Sequence, residues 1–157
     1  MAAYLRHLLA GMPKILIADD DARMRQMLRQ IVAALASAVC EARDGAEASL
    51  LYAAERPDWV LMDLRMKPVD GLRATAEIKA SFPDARIVIV SDYDDEKVRA
   101  KAARVGACAY VLKENLHELV GLITGVGMEA IADQANKAQH SRFSNRFYSQ
   151  NSKPPET

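Results

Sequence analysis

Short apolar runs alternate with amphipathic segments along most of the chain. The runs predict β-strands at 14–18, 38–42, 59–63, 86–91 and 108–112. Most are apolar at successive positions, which is typical of parallel strands buried on both faces. The segments between them carry apolar residues at helical spacing. The pattern therefore predicts an α/β fold, a doubly wound parallel sheet built from five strand-helix units.

Helices are predicted after each strand, starting with one at about 22–35. Its apolar residues recur at helical spacing and form one face: Met24, Met27, Leu28, Ile31 and Leu35. The second and third helices are predicted at about 45–55 and 71–81. The fourth begins at the acidic residues 94–96, which favour a helix N-terminus, and closes at Gly106. The fifth is predicted to begin near Asn115, as its N-cap.

One domain is predicted at 13–130, with residues 1–12 as an N-terminal extension. Residues 131–157 are polar and are predicted to be a disordered C-terminal tail. Basic and aromatic residues in this tail leave contact with nucleic acid or a membrane as the alternative to a solvated segment. We expect the solvated segment and no direct nucleic-acid binding, and the tail is too short for a second core.

Composition restricts the class of protein more than its partners. The 157 residues include 21 basic and 21 acidic side chains, so net charge indicates no polyanionic partner. Cys40 and Cys108 form no CxxC motif, and if the strand order is 2-1-3-4-5 they lie at opposite sheet edges, beyond disulfide reach. No apolar stretch approaches the roughly 20 residues that span a bilayer. A reduced, cytoplasmic protein without membrane contact is therefore predicted.

Chemically reactive side chains end or directly follow four of the predicted strands. They are Asp19 and Asp20, Asp63, Ser91 and Lys113. The carboxyl ends of parallel strands share one edge of the sheet, where ligands bind. Three crowded carboxylates repel one another, and a hard cation such as Mg²⁺ relieves that repulsion. Singly, these residues are explained as a helix cap, a turn hydroxyl and a surface lysine, but together they indicate a site.

The pattern predicts phosphoryl transfer at this edge. Asp63 is the candidate nucleophile, because an aspartate can form an aspartyl-phosphate. Ser91 can donate a hydrogen bond to a phosphoryl oxygen, and Lys113 can neutralise another. A phosphohydrolase with an aspartate nucleophile is the competing enzyme class, but it needs a second acid at position 65, where Arg65 stands.

Four segments closely resemble the receiver domain of two-component response regulators: ILIADDD at 15–21, DWVLMDLRM at 58–66 with VDG at 69–71, IVS at 89–91, and 106–113 ending at the lysine. The resemblance covers about residues 13–125. It implies the flavodoxin-like fold, with strand order 2-1-3-4-5 and five flanking helices. It also implies that a sensor histidine kinase or a histidine phosphotransfer protein phosphorylates Asp63. Catalysis would be limited to the domain's own phosphorylation and dephosphorylation.

Further roles follow from the same resemblance. Asp19, Asp20, Asp63 and the backbone carbonyl of Arg65 are implied as ligands of Mg²⁺. Ser91 and Tyr110 occupy the switch positions, so that Ser91 is drawn to the phosphoryl group and Tyr110 moves inward. The fourth helix, fifth strand and fifth helix would then form the output face. That face would bind an unknown downstream protein or a second copy of the chain.

Four residues at the site are expected to modulate these reactions. Lys67 precedes the proline where the family usually has proline first, Asp92 adds a negative charge beside Ser91, and Arg65 and Tyr93 flank the site. Lys67 and Asp92 also support a second hypothesis, a pseudo-receiver that is not phosphorylated and acts as a protein-interaction module. A change in Trp59 fluorescence with Mg²⁺ is expected for the receiver and not for the pseudo-receiver.

Overall fold

The computed structural model describes residues 11–125, which contain five strands and five α-helices. The strands are β1 (Lys14–Ala18), β2 (Ala38–Ala42), β3 (Trp59–Asp63), β4 (Ile87–Ser91) and β5 (Ala109–Leu112). The helices are α1 (Ala22–Val32), α2 (Gly45–Glu55), α3 (Gly71–Ser81), α4 (Glu96–Arg104) and α5 (Glu118–Thr124). A short 3₁₀ turn, Lys113–Asn115, links β5 to α5.

All strand pairs are parallel, and the order across the sheet is β2-β1-β3-β4-β5. The prediction of a five-stranded, doubly wound, flavodoxin-like α/β fold is therefore confirmed. Ala18 pairs with Met62, and Asp63 pairs with Val90. This register brings the carboxyl ends of the central strands level with one another.

Both faces of the sheet are covered by helices. Leu16, Met62 and Ile89 belong to the buried cluster on the face covered by α2, α3 and α4. Ile17 and Leu61 belong to the cluster on the opposite face, with α1 and α5. Every residue of β3 and β4 is buried. The strands that end in Asp63 and Ser91 are therefore fixed by packing on both sides.

Aspartates begin four of the helices. Their side chains accept hydrogen bonds from backbone N–H groups of the first helical turn, which would otherwise have no partner. The capping residues are Asp21 for α1, Asp44 for α2, Asp70 for α3 and Asp95 for α4. Within the acidic run 19–21, the capping role thus falls to Asp21 and leaves Asp19 and Asp20 available for another function.

The end of α1 differs from its prediction. The helix ends at Val32, and residues 33–35 form a turn. The N–H of Ser37 donates to the carbonyl of Pro13, which directs the chain into β2. Val32 is fully buried, whereas Met27, predicted on the apolar face, is 49% exposed. Because the buried face of α1 is narrower than the predicted apolar face, Met27 lies at its margin and remains exposed to solvent.

The start of α5 also differs, while the end of α4 agrees with the sequence. Asn115 lies in the 3₁₀ turn, and α5 begins at Glu118, so Asn115 is not its N-cap. The tighter turn allows both Leu116 and Leu119 to be buried against the sheet. Gly106 follows α4 with a φ of +98°, a conformation that favours glycine.

Two predicted segments lie largely outside the described residues. Residues 1–10 and 126–157 are not described, so the N-terminal extension, the C-terminal tail and the domain boundary at 130 stay predictions. Among the helices of residues 11–125, none has the length and apolar character needed to cross a membrane.

Candidate functional site

Three aspartates meet at the carboxyl edge of the sheet. Asp19 and Asp20 directly follow β1, and Asp63 is the last residue of the adjacent strand β3. One carboxylate oxygen from each lies within 4.8 Å of the others. Asp19 and Asp63 are buried, whereas Asp20 is exposed. The predicted acidic cluster is thus formed in space, with two of its carboxylates removed from bulk water.

The Lys113 side chain reaches two of these carboxylates from the end of β5. Its Nζ lies 3.0 Å from Asp19 Oδ2 and 2.9 Å from Asp63 Oδ1. Burial alone would lower the pKa of Lys113, but the adjacent carboxylates of Asp63 and Asp19 outweigh it and raise that pKa above its usual value. Lys113 is therefore a permanent cation between Asp19 and Asp63.

Asp19 is the least satisfied member of the cluster. Burial raises the pKa of Asp19, while the Asp21 N–H and the Lys113 ammonium act in the opposite direction. Its Oδ1 accepts the Asp21 N–H at 2.8 Å. Its buried Oδ2 accepts no well-directed hydrogen bond from the described residues, although it contacts Lys113 as an ion pair. An anionic oxygen in this position favours a further cation.

The donor set fits a hard divalent cation. The three carboxylates carry three negative charges against the one ammonium of Lys113 in contact with two of them. All the clustered donors are oxygens, which Mg²⁺ prefers. The surrounding pocket has a volume of about 230 Å³ and is also lined by Ser91 and Tyr93. It is large enough for an ion with its waters or a phosphoryl group.

The loop after β3 is held against the site by backbone contacts. The Arg65 N–H donates to Asp63 Oδ2 at 3.0 Å, and the Gly71 N–H donates to the Leu64 carbonyl. A Cβ on Gly71 would lie 2.0 Å from the Asp63 carbonyl oxygen, so only glycine fits there. Lys67 lies further along this loop and lines an adjoining groove of about 830 Å³ between the loop and α4.

The Tyr93 backbone connects the two predicted switch residues. Ser91 is buried, and its Oγ accepts the Tyr93 N–H at 3.1 Å. Tyr110 donates its hydroxyl proton to the Tyr93 carbonyl at 2.7 Å. Among the described residues the Ser91 hydroxyl proton has no acceptor. Ser91 can therefore donate to an incoming ligand without breaking its bond to Tyr93.

Two predicted modulating residues contact each other above the pocket. The Arg65 guanidinium lies 4.0 Å from the centroid of the Tyr93 ring. This cation–π contact joins the loop after β3 to the loop after β4. Asp92 is directed mostly to solvent, with 71% of its side chain exposed, yet its Oδ2 is 3.8 Å from Lys113 Nζ. The Asp92 carboxylate therefore competes only weakly for the Lys113 ammonium, because solvent screens its charge.

Arg99 makes a contact that the sequence patterns did not reveal. From α4 its guanidinium lies 4.6 Å from the centroid of the Tyr110 ring, and it forms an ion pair with Asp94. Nothing in the local spacing indicates this arrangement, because it depends on the path of the loop between β4 and α4. The one signal for this contact in the sequence was the presence of an arginine, Arg99, in the helix beside the predicted switch residue Tyr110.

Trp59 does not adjoin the site. It begins β3, whereas Asp63 ends it, so the two are about 13 Å apart along the strand. The Arg86 guanidinium covers the Trp59 ring at 4.5 Å, at the opposite edge of the sheet. Direct quenching by an ion at the acidic cluster is therefore not expected, which corrects the proposed use of Trp59 as a local reporter.

Comparison with known proteins gives one consistent result. Residues 15–124 match the model of the family described as response regulator receiver domain. The chain is 36% identical over 100 residues to the chemotaxis protein CheY of Halobacterium salinarum, covering 64% of this chain and 83% of that protein. It is 39% identical over 103 residues to the uncharacterized transcriptional regulatory protein YhcZ of Bacillus subtilis, covering 64% of this chain and 48% of that protein.

A solved structure agrees with these matches. The crystal structure of a LuxR-family two-component response regulator from Aurantimonas is similar with a TM-score of 0.67 and 31% identity. The similarity covers 77% of this chain and 85% of that one. The chain spans about half the length of YhcZ, so the activity of such longer relatives does not transfer to it directly.

Proposed function

The chain belongs to the response regulator receiver domain family of two-component signalling, and from this membership we propose that it accepts a phosphoryl group on Asp63 in a Mg²⁺-dependent reaction. One observation carries the proposal. The Lys113 ammonium is held 2.9 Å from Asp63 and 3.0 Å from Asp19, in the pocket that Ser91 also lines. A nucleophile, a cation and a hydrogen-bond donor thus converge on one small volume.

The proposed reaction transfers a phosphoryl group from a phosphohistidine. A carboxylate oxygen of Asp63 attacks phosphorus and forms the new P–O bond while the P–N bond to the donor imidazole breaks. The imidazole keeps the electron pair and takes up a proton. Lys113 neutralises one phosphoryl oxygen, and the Ser91 hydroxyl donates its unused proton to another. Positioning and charge neutralisation are the main requirements of phosphoryl transfer.

Asp19, Asp20, Asp63 and the Arg65 backbone carbonyl would hold Mg²⁺, and the ion when bound would neutralise negative charge on the phosphoryl oxygens. Asp19 Oδ2, which is buried with only the ion pair to Lys113 and no well-directed hydrogen bond, supports this assignment. Asp63 has one oxygen oriented by Lys113 and the other by the Arg65 N–H. Its carboxylate plane is thereby fixed before any ligand arrives, which favours the reaction by preorganisation.

The proposed partners follow from this chemistry. A sensor histidine kinase or a histidine phosphotransfer protein supplies the phosphoryl group in the cytoplasm. The face formed by α4, β5 and α5 then binds a downstream protein or a second copy of the chain. Ser91 and Tyr110, both hydrogen-bonded to the Tyr93 backbone, are the proposed link between the site and that face.

The test is intact-mass spectrometry after incubation with acetyl phosphate or phosphoramidate. With Mg²⁺ we expect a mass gain of one phosphoryl group, and with a chelator we expect none. Asp63→Asn should abolish the gain. Asp84→Asn is the matched control, because Asp84 is an exposed aspartate in the turn before β4 and should leave labelling unchanged.

The pseudo-receiver is the second candidate, and the position of Asp92 favours it. The Asp92 carboxylate lies 3.8 Å from Lys113, where it can compete with a phosphoryl oxygen. If neither phosphodonor changes the mass of the wild-type protein in Mg²⁺, the phosphoryl-acceptor proposal fails. If Asp92→Ala is phosphorylated by the phosphodonor and the wild type is not, the competition of Asp92 for Lys113 explains why the wild type is not labelled.

A further inference from the structure

We propose that Arg99 is a positioning residue that holds Tyr110 and the loop at 92–95 in the arrangement that receives a phosphoryl group. This inference rests on the proposed function, because it concerns phosphoryl binding at Asp63. Arg99 lies on α4 and belongs to neither the acidic cluster nor the pocket around it. Its effect would be transmitted through Tyr110 and Tyr93.

Arg99 contacts Tyr110 in two ways. Its guanidinium carbon is 4.6 Å from the ring centroid, within the range of a cation–π interaction. Its Nη1 also lies 3.5 Å from the Tyr110 backbone carbonyl. The ring is thus covered on one face while its hydroxyl is fixed at the Tyr93 carbonyl, at 2.7 Å. These contacts restrict the rotamer of a half-exposed side chain at the sheet edge.

Asp94 fixes the orientation of Arg99 in turn. Asp94 Oδ1 lies 3.0 Å from Arg99 Nε and 2.9 Å from Arg99 Nη2. A planar guanidinium held through two nitrogens is better oriented than a single-point ammonium. Arg99 therefore ties three parts of the fold together, namely α4, the loop after β4, and β5.

The arrangement that Arg99 stabilises leaves Ser91 ready to donate. The Tyr110 hydroxyl donates to the Tyr93 carbonyl, and the Tyr93 N–H donates to Ser91 Oγ. With its oxygen occupied as an acceptor, Ser91 still has its proton available for a phosphoryl oxygen. If Tyr110 loses its restraint, the Tyr93 carbonyl loses its hydrogen-bond donor, and the loop that carries the Tyr93 N–H is held less firmly beside Ser91. Arg99 thus raises the population of the receiving arrangement.

The predicted signature separates phosphoryl binding from metal binding. Among the described residues, the Arg99 side chain contacts Asp94 in the loop after β4 and Tyr110 in β5, and it contacts none of Asp19, Asp20 and Asp63. Loss of Arg99 should therefore weaken binding of a phosphoryl mimic and leave Mg²⁺ affinity unchanged. A general structural defect would weaken both.

The experiment measures binding of beryllofluoride, a phosphoryl mimic, at saturating Mg²⁺ by isothermal titration calorimetry. We expect Arg99→Ala to weaken this binding by about threefold to tenfold, the range set by one partly exposed cation–π contact and one ion pair. Arg99→Lys keeps the charge and should recover part of the loss. Mg²⁺ alone should bind the wild type and each variant equally.

Two further variants complete the test. Arg104→Ala removes an exposed arginine from the same helix and should bind beryllofluoride as the wild type does. Asp94→Asn leaves Arg99 in place but removes its ion pair, so it should show a smaller loss and serves if Arg99→Ala does not fold. Equal or tighter beryllofluoride binding by Arg99→Ala and Asp94→Asn would overturn the inference.

The two proposals fail in distinguishable ways. If the wild-type protein does not bind beryllofluoride in Mg²⁺, the proposed function fails and the role of Arg99 fails with it. If the wild type binds and the Arg99 and Asp94 variants bind equally well, only the role of Arg99 is refuted. A parallel loss of Mg²⁺ affinity in Arg99→Ala would also refute it, because the defect would then be structural.

Discussion

At the scale of single residues, Lys113 has two opposing roles in the site. Its ammonium neutralises part of the charge on Asp19 and Asp63. The same charge repels an incoming divalent cation, but it attracts the phosphoryl group. Lys113 should therefore oppose the binding of one proposed ligand and promote the binding of the other.

Replacement of Lys113 by Met should separate its effect on Mg²⁺ binding from its effect on phosphoryl transfer. Lys113→Met should bind Mg²⁺ more tightly than the wild type, by about tenfold or ~1.4 kcal/mol, because the competing cation is gone. Its labelling by a small phosphodonor should fall, because one phosphoryl oxygen loses its counter-charge. Calorimetry measures the first quantity and mass spectrometry the second.

Lys97→Met is the matched control for this substitution. Lys97 is an exposed lysine on α4, so its loss removes the same charge from the molecule at a distance from the cluster. Both measurements should stay at wild-type values. Weaker Mg²⁺ binding by Lys113→Met would contradict the interpretation, since it would mean that Lys113 mainly holds the carboxylates in place.

At the scale of secondary-structure elements, the contact between β3 and α3 determines the position of Asp63. Gly71 is the first residue of α3, and its Cα faces the backbone at the end of β3. A Cβ there would lie 2.0 Å from the Asp63 carbonyl oxygen and 3.0 Å from the Asp63 carbonyl carbon. These are backbone atoms of a buried strand, so rotation of a side chain cannot relieve the clash.

Gly71→Ala should therefore destabilise the fold and displace the nucleophile. We expect the free energy of unfolding to fall by about 3 kcal/mol, the upper part of the usual range for overpacking. Phosphorylation of Asp63 should fall as well. Urea unfolding measures the first effect. Gly11→Ala is the control, because a Cβ on Gly11 has no atom within 4 Å; equal stability of the two variants would contradict this account.

The sequence predicts elements well where burial alone decides them. The wholly apolar run ending in Asp63 forms a strand at the predicted residues, and every residue of β3 is buried. Prediction was less accurate at the C-terminal end of α1 and at the start of α5. Those ends depend on tertiary contacts, such as the Ser37 to Pro13 hydrogen bond, which have no local signal.

The site shows the same division between local and tertiary information. Strand-end positions predict the clustering of Asp19, Asp63 and Lys113, because parallel strands share an edge. The pairs formed by Arg65 with Tyr93 and by Arg99 with Tyr110 were not predicted. Both cross between loops or between a helix and a strand, so they depend on backbone paths that hydrophobic periodicity does not specify.

At the scale of the whole molecule, the acidic site should couple the binding of the proposed ion to folding. The three carboxylates come from two strands that are adjacent only in the folded chain. An ion that binds the cluster therefore stabilises the folded state. The described part of the fold should gain stability with the logarithm of the Mg²⁺ concentration once that concentration exceeds the dissociation constant.

Mg²⁺ at 100 times its dissociation constant should raise the free energy of unfolding by about 2.7 kcal/mol. Denaturant unfolding with and without the ion measures this gain, and NaCl at the same ionic strength controls for screening. Asp19→Asn should reduce the gain because it removes a proposed ligand. If Asp19→Asn gains as much stability from Mg²⁺ as the wild type, or if NaCl gives the wild type an equal gain, the stabilisation does not come from an ion at the acidic cluster.

The location of the single tryptophan changes what fluorescence can reveal. Trp59 lies at the amino-terminal edge of the sheet under Arg86, about 13 Å along β3 from Asp63. Its emission follows global unfolding without direct interference from an ion. Any change that a ligand causes in the emission of the native protein therefore reports a structural change that reaches the far edge of the sheet, so Trp59 serves as a distant sensor of conformational change in the domain.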